Sequence, residues 1–550
     1  MSNLHLRRNF YRVTSFISTL TLLTILFICC IFDYIFTTKL KWKKAGNISN
    51  KENATKLLPN ENIEIINSET NPVLDEARPR FNGHTVDERL TASGSSSSVR
   101  RQRKELREDN LNNSTENPYN SIYMSRDDSR SKQMSEPTYK LVADLKYYYQ
   151  QYGLDVEHYR LTTKDGFELD LWHIVDSDQI KNKSQQNGTI SINDEEEEHL
   201  ASSFNGKNPV LFIHGLLQSS GSFASSGLNS LAYYVKQSLG RDVWLGNNRC
   251  GFNPGVRHDP NHAKDDLWDW DLNEMSKYDL PCLTDFVLKK TGKEKIELIG
   301  HSQGTMQTLQ SLINYKKLDT DYDHSLLGKV ENFIALAPAV YPGILIYDNI
   351  VLKILAKVIN NKFVMGTESF IPLMMFIRNL SITLGNKSIF TDLSYLMFKF
   401  LFEWNDRLWD KNLRSRHFLF SPVYVSVKLM RWWLSEKKDA VSFKNGKVSN
   451  LYFPDNKIWF PIKTESVQFE TDRPLHIHEP KELGEYPKIA LFIPKLDKLV
   501  DGNRLCNHFT NFEDKRLYNI YYIENYSHLD VLWSMDVIEV IGKRISKILV

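Results

Sequence analysis

Lys295-Ile296-Glu297-Leu298-Ile299-Gly300-His301-Ser302-Gln303-Gly304-Thr305 is the stretch that most limits what this chain can become. An apolar, partly β-branched run leads into Gly-His-Ser-Gln-Gly, and helix-compatible residues continue from Thr305 to Ile313. The pattern predicts strand, sharp turn, helix, with Ser302 at the apex of the turn. Glycines are needed on both sides because the backbone there is strained and closely packed. The strain lifts the serine hydroxyl off the sheet edge, where a base can reach it. Taken alone, G-x-S-x-G arises by chance in roughly one chain in five of this length. The strands and loops around it have to decide.

The chain has 550 residues, enough for several ordinary domains or one large domain with appendages. With 41% hydrophobic and 12% aromatic residues it can bury a core. A formal net charge of +2 argues against nucleic acid as a partner, since such binders carry a clear basic excess. The five cysteines are Cys29, Cys30, Cys250, Cys282 and Cys506. Two lie in an N-terminal apolar run and three are widely spaced, which is neither a disulfide framework nor a metal-ligand set.

After a short polar tail (1–13), residues 14–36 contain no Lys or Arg and one acid, Asp33. About 20 apolar residues cross a bilayer as a helix. The run is longer than a signal-peptide core and no small-x-small cleavage site follows it, so it predicts an uncleaved, single-pass anchor. Basic residues flank it on both sides, and the positive-inside rule leaves its orientation open. Residues 37–135 are rich in Asn, Ser, Glu, Arg and Lys, with few aromatics. Such a segment cannot bury enough apolar surface to offset its ordering entropy, and predicts a disordered linker. The basic cluster from Arg100 to Lys104 reads as a solvated run. Sequons at Asn47, Asn53, Asn112, Asn113, Asn182, Asn187, Asn379, Asn386 and Asn525 matter only if the domain is luminal.

From residue 136 to 550 the composition is that of one catalytic domain. Val156–Thr163 and Phe167–Val175 alternate as strands around the turn Lys164-Asp165-Gly166. A polar stretch, 176–208, predicts a surface loop. Pro209-Val210-Leu211-Phe212-Ile213 is a continuous apolar run, the mark of a strand buried on both faces. It ends in His214-Gly215-Leu216-Leu217-Gln218, where backbone N–H groups could face a ligand. His258, Asp259, His262, Asp265 and Asp266 lack the fixed spacing of a zinc or di-metal site and read as a polar loop. No metal site is predicted.

A triad in the order Ser, acid, His needs the acid and the base in loops after later strands. Lys488–Pro494 is a strand, and Asp497 fits the loop just past it, with Asp501 as the runner-up. His528 sits in a loop after the strand Leu517–Ile523.

His214-Gly215-Leu216-Leu217, Asp242-Val243-Trp244-Leu245-Gly246-Asn247, Tyr278-Asp279-Leu280-Pro281 and Gly300-His301-Ser302-Gln303-Gly304-Thr305 resemble the acid lipase branch of the α/β-hydrolases. That branch includes gastric and lysosomal lipases and fungal sterol esterases. The N-terminal span and long tether are most similar to the membrane-anchored fungal steryl ester hydrolases. Two departures stand out. Asn248 and Cys250 replace the Ser and Gly of the family's Gly-Asn-Ser-Arg-Gly, and residues 340–480 hold no cysteine. The resemblance implies an α/β-hydrolase fold: a mostly parallel central sheet, flanking helices, and a largely helical cap over about 340–480. It places the acid at Asp497 and implies hydrolysis of a steryl ester through Ser302, Asp497 and His528, with an acyl-serine intermediate. The N–H groups of Leu216 and Gln303 would receive the oxyanion, and no cofactor is needed.

A triacylglycerol substrate fits the same parts, and a catalytically inactive, membrane-anchored lipid-binding protein is the rival from another class. The expected partners are an apolar ester and a membrane or lipid-droplet surface, which places the chain at the plasma membrane, endoplasmic reticulum or lipid droplet. The sequence carries no signal for an oligomeric state.

Overall fold

The computed structural model describes residues 140–177, 206–249, 267–313, 325–370, 378–380, 383, 387–404, 406–463 and 480–549, with parts of a helix within 7–28 and a strand at 63–66. Met1–Glu69 and Leu141–Val550 form one compact unit. Of the separate Thr70–Lys140 unit, only Lys140 is described.

Among the described residues nine strands form one sheet in the order β1-β9-β8-β7-β6-β4-β5-β3-β2. Their ranges are β1 Ile63–Ile66, β2 Leu154–Thr162, β3 Glu168–Asp176, β4 Val210–Ile213, β5 Val243–Gly246, β6 Ile296–His301, β7 Val330–Leu336, β8 Lys488–Pro494 and β9 Tyr518–Ile523. The strands from β5 through β9 along the sheet run parallel; β3 pairs antiparallel with β5, β2 antiparallel with β3, and β1 antiparallel with β9. Every residue of β4, β5 and β6 is buried. Their unbroken apolar runs follow from that, because helices cover both faces of a parallel sheet. The principal helices are α1 Leu231–Gln237, α2 Leu280–Thr291, α3 Gln303–Ile313, α4 Ile344–Asp348, α5 Ile350–Val358, α6 Lys387–Phe402, α7 Val427–Leu434, α8 Lys447–Tyr452, α9 Gly502–Phe512 and α10 Lys543–Ile548. Helices α4 to α8 lie between β7 and β8 in the chain, so the interruption of the hydrolase pattern is a helical insertion. Asn349 splits α4 from α5 by accepting hydrogen bonds from the N–H groups of Val351 and Leu352.

One expectation changes, and another is described only in part. Residues 63–66 lie inside the stretch expected to be disordered, yet Ile63 pairs with Ile523 and Ile65 with Tyr521 at the sheet's edge. Pairing at an edge draws on backbone N–H and C=O groups that every residue carries, so three isoleucines in a polar surround do not stand out in composition. The expected 14–36 span is described only in part, as helix within 9–21, 24–25 and at 28. Among the described residues no helix is long and apolar enough to cross a membrane. The rest of the linker, residues 178–205 of the polar loop, and the 258–266 cluster lie outside the described residues. None of the described residues gather into a metal-holding group.

One buried ion cluster holds the strand exits in place. Arg249 is fully buried; its Nε donates to Asp279 Oδ1 at 2.8 Å, and its Nη atoms donate to both oxygens of Asp165 at 2.8 and 2.9 Å. Its own N–H donates to Asp279 Oδ2 at 3.0 Å, and the guanidinium sits 4.3 Å from the Phe167 ring centroid. The β5 exit, the β2–β3 turn and the start of α2 are thereby fastened together. Removing one partner leaves an uncompensated buried charge, which typically costs 3–5 kcal/mol. Asp279→Ala should lower unfolding stability by about that much in chemical denaturation, whereas a surface change such as Asp514→Ala should not.

Candidate active site

Ser302 follows β6 directly and precedes α3, and its φ is 50°. A left-handed conformation costs a β-carbon residue about 1–3 kcal/mol, and it persists because the neighbours leave no other path. Gly304 shows why: a β-carbon there would stand 2.4 Å from the carbonyl oxygen of Ile213. The chain can approach β4 this closely only without a side chain. The Ser302 N–H donates to Leu336 O at 3.0 Å, and the Thr305 N–H and hydroxyl both donate to Ser302 O.

The structure brings the three side chains together from loops after β6, β8 and β9. His528 Nε2 lies 2.8 Å from Ser302 Oγ, and His528 Nδ1 lies 2.6 Å from Asp497 Oδ2. The other Asp497 oxygen accepts from the N–H groups of Leu499 and Val500, at 2.8 and 3.2 Å. A carboxylate held in this way keeps the imidazole proton on Nδ1 and leaves Nε2 free to accept the serine proton. Asp501 has another role: it caps α9 by accepting from the Arg504 N–H at 3.0 Å.

The peptide joining Gly215 to Leu216 is fixed through its carbonyl. Asn248 N–H donates to His214 Nε2 at 3.1 Å, so the His214 proton sits on Nδ1 and donates to Gly215 O at 2.9 Å. Gln218 N–H donates to the same oxygen at 3.2 Å. Because the peptide unit is planar and trans, holding its C=O one way turns the Leu216 N–H the other way. That N–H donates to no described residue. Gln303 opens α3, where N–H groups precede the intrahelical ladder. Its side chain is locked by Trp433, whose Nε1–H donates to Gln303 Oε1 at 3.0 Å.

Five supporting residues were given no role from the sequence. Gln218 Oε1 accepts the Gly215 N–H at 3.1 Å and lies 2.8 Å from His301 Nδ1. His301 in turn stands beside His528, with ring centroids 5.2 Å apart. The Asn248 and Gln307 amides pair head to head, at 2.9 Å in each direction. Gln218 and His301 lie inside the motifs and could have been found there. Trp433 is 130 residues from its partner and had no local signal.

Burial drops the pKa of His214 to about 4, and burial, with His528 alongside, holds His301 well below the ordinary histidine range. Both stay neutral, so a proton taken up by His528 is the one new positive charge among these rings. On the far side of Ser302 lies a cavity of about 1120 Å³, its open mouth included. Leu216, Val351, Leu355, Phe398, Met430 and Trp433 are among its walls, and among the described residues Ser302 is its single hydroxyl group. A second, polar cleft of about 810 Å³ opens over Asp497 and His528. The pair of cavities suits an apolar substrate on one side of the hydroxyl and water on the other.

Residues 145–227 match the partial alpha/beta-hydrolase lipase region, and residues 208–321 match the alpha/beta hydrolase fold. The chain is 47% identical over 435 residues to sterol esterase 2 of Saccharomyces cerevisiae, covering 78% of this chain and 73% of that protein. It is 27% identical to human lysosomal acid lipase/cholesteryl ester hydrolase, over 70% of this chain and 85% of that one. Human gastric triacylglycerol lipase is 24% identical, again over 70% and 85%.

The neutral His214 has a consequence for stability. In the unfolded chain its pKa returns to about 6.5, so between pH 6.5 and 4 the unfolded state binds a proton that the folded state refuses. Its neutral-state stability is fully present above about pH 6.5 and is lost as pH falls toward 4, by about 3 kcal/mol in all. Urea unfolding from pH 7 to 4.5 should show this decline, and His214→Asn should make it shallower. An unchanged slope would mean that His214 titrates normally.

Proposed function

Since the chain belongs to the sterol esterase and acid lipase family of the α/β-hydrolases, a family of serine ester hydrolases, we propose that it hydrolyses steryl esters to free sterol and fatty acid. The observation that carries this reading is the Asp497–His528–Ser302 hydrogen-bond chain ending on a hydroxyl at the wall of an apolar cavity. The much higher identity to the yeast sterol esterase than to gastric triacylglycerol lipase favours a steryl ester over a triacylglycerol.

In the mechanism, Ser302 Oγ attacks the ester carbonyl as His528 Nε2 takes its proton. Asp497 holds the ring and stabilises the imidazolium. The N–H groups of Leu216 and Gln303 receive the oxyanion, each contributing about 3 kcal/mol. Collapse of the tetrahedral intermediate breaks the bond to the sterol oxygen, which leaves with the proton from His528. Water then enters, gives a proton to His528 and attacks the acyl-serine, and the fatty acid departs as Ser302 regains its proton. The acyl chain and the sterol both need an apolar wall, and the water needs the polar cleft.

A water-insoluble substrate also needs an enzyme that stays where the substrate is. The apolar run 14–36 suits a single-pass anchor, which would keep the catalytic domain at a plasma membrane, endoplasmic reticulum or lipid-droplet surface. Ser302→Ala should lower turnover about a million-fold while leaving thermal unfolding unchanged. Side-by-side assays of the full chain on cholesteryl oleate and trioleoylglycerol in mixed micelles test the substrate. The proposal expects the steryl ester to have the higher kcat/KM, and a clear preference for trioleoylglycerol would refute it.

A further inference from the structure

The helix over 9–21 turns most of its large apolar side chains outward, beside the exposed Asn9, Arg12 and Thr21. Tyr11, Thr14, Ser15, Ser18 and Thr19 are buried or half-buried, while Phe10, Val13, Phe16, Ile17 and Leu20 are 40–59% exposed. A helix on a water-soluble surface does the reverse, turning its apolar stripe to the protein and its polar face to solvent. Small hydroxyl side chains at a helix contact and large apolar ones outside are what packing within hydrocarbon produces.

The seat of this helix is built. Arg12 Nε donates to both carboxylate oxygens of Glu368 at 2.9 Å, and its Nη2 lies 2.8 Å from Oε1. The Tyr11 and Phe363 rings meet edge to face at 5.2 Å. Gly366, at φ 73°, leaves room for Ser15, whose Oγ lies 2.9 Å from where a β-carbon would stand. The seat is also tied to the cavity wall. Arg431 Nη2 donates to Gly366 O and Arg431 Nε to Ile359 O, both at 3.1 Å, and Val427 N–H donates to Glu368 O at 2.8 Å. These bonds fasten the seat to α7, which supplies Met430 and Trp433 to the cavity and reaches Gln303 beside the nucleophile. Nearby, α5 also turns large apolar side chains outward: Val351 and Leu355 line the cavity, while Ile350 and Ile354 are 64% and 47% exposed beside Lys353 and Lys357.

We infer that the N-terminal helix is an integral, lipid-embedded part of the cap. Its hydroxyl stripe seats on Phe363, Gly366 and Glu368, and its outward face is solvated by the acyl chains of a phospholipid membrane. The cap, with the apolar cavity behind it, is thereby held against the phase in which a water-insoluble ester dissolves. This rests on the proposed action on such an ester.

The test uses the full chain in phosphatidylcholine vesicles carrying cholesteryl oleate, with p-nitrophenyl acetate as the soluble comparison. Arg12→Glu should lower turnover of the vesicle-borne ester roughly two- to fivefold, the range of an exposed ion pair. It should leave p-nitrophenyl acetate hydrolysis unchanged, and adding Glu368→Arg should restore the loss. A fluorophore attached at Ile17→Cys should be quenched by doxyl-labelled phospholipid, and one attached at Ser15→Cys should be protected. Equal quenching at both positions, quenching at neither, or a double variant no better than Arg12→Glu would overturn the inference. If the wild type cleaves p-nitrophenyl acetate but not cholesteryl oleate, the substrate reading fails, and the quenching pattern still decides the placement of the helix.

Discussion

Where the backbone leaves β6 it runs against β4 so closely that position 304 has no room for a β-carbon. That contact fixes the reversal at Ser302 and leaves its φ positive. With the reversal fixed, the hydroxyl stands above the carboxyl edge of a parallel sheet. The loops after β4, β8 and β9 emerge at the same edge because their strands run the same way. Parallel topology thus brings together residues that are 226 apart in the chain, as His528 and Ser302 are. Open α/β sheets place their ligands at this edge for the same reason.

Around that edge the histidines are sorted by their surroundings. His214 accepts a backbone N–H and cannot be protonated without losing it, and burial keeps it and His301 neutral. Of these three, His528 is the one paired with a buried carboxylate, which is the arrangement a base needs if it is to carry a charge briefly. The neutral His214 does structural work on a catalytic dipole, because the carbonyl it holds belongs to the same peptide unit as the Leu216 N–H.

Much of this was legible in the chain because the informative signals are local. Apolar runs such as Val210–Ile213 and Lys488–Pro494 end abruptly in polar loops, and strand length and loop position follow from that. Asp497 and Asp501 both fit their loop, and only geometry separates the one facing His528 from the one capping α9. Contacts between distant segments left no trace in the sequence. Trp433 on Gln303, Arg12 on Glu368 and the pairing of Ile63 with Ile523 depend on how the insertion and the N-terminal segment come back onto the core. The outward turn of the large apolar side chains in 9–21 was hidden as well, since a window of mean hydropathy cannot tell which face meets protein.

The central claim is that Asp497 and His528 make the Ser302 hydroxyl a nucleophile. It is tested most directly by treating the full chain with a fluorophosphonate and mapping the adduct by mass spectrometry. The account predicts a single adduct, on the peptide bearing Ser302, formed in wild type and lost in His528→Ala. An adduct on a different serine, or equally fast labelling of Ser302 without the imidazole, would contradict it.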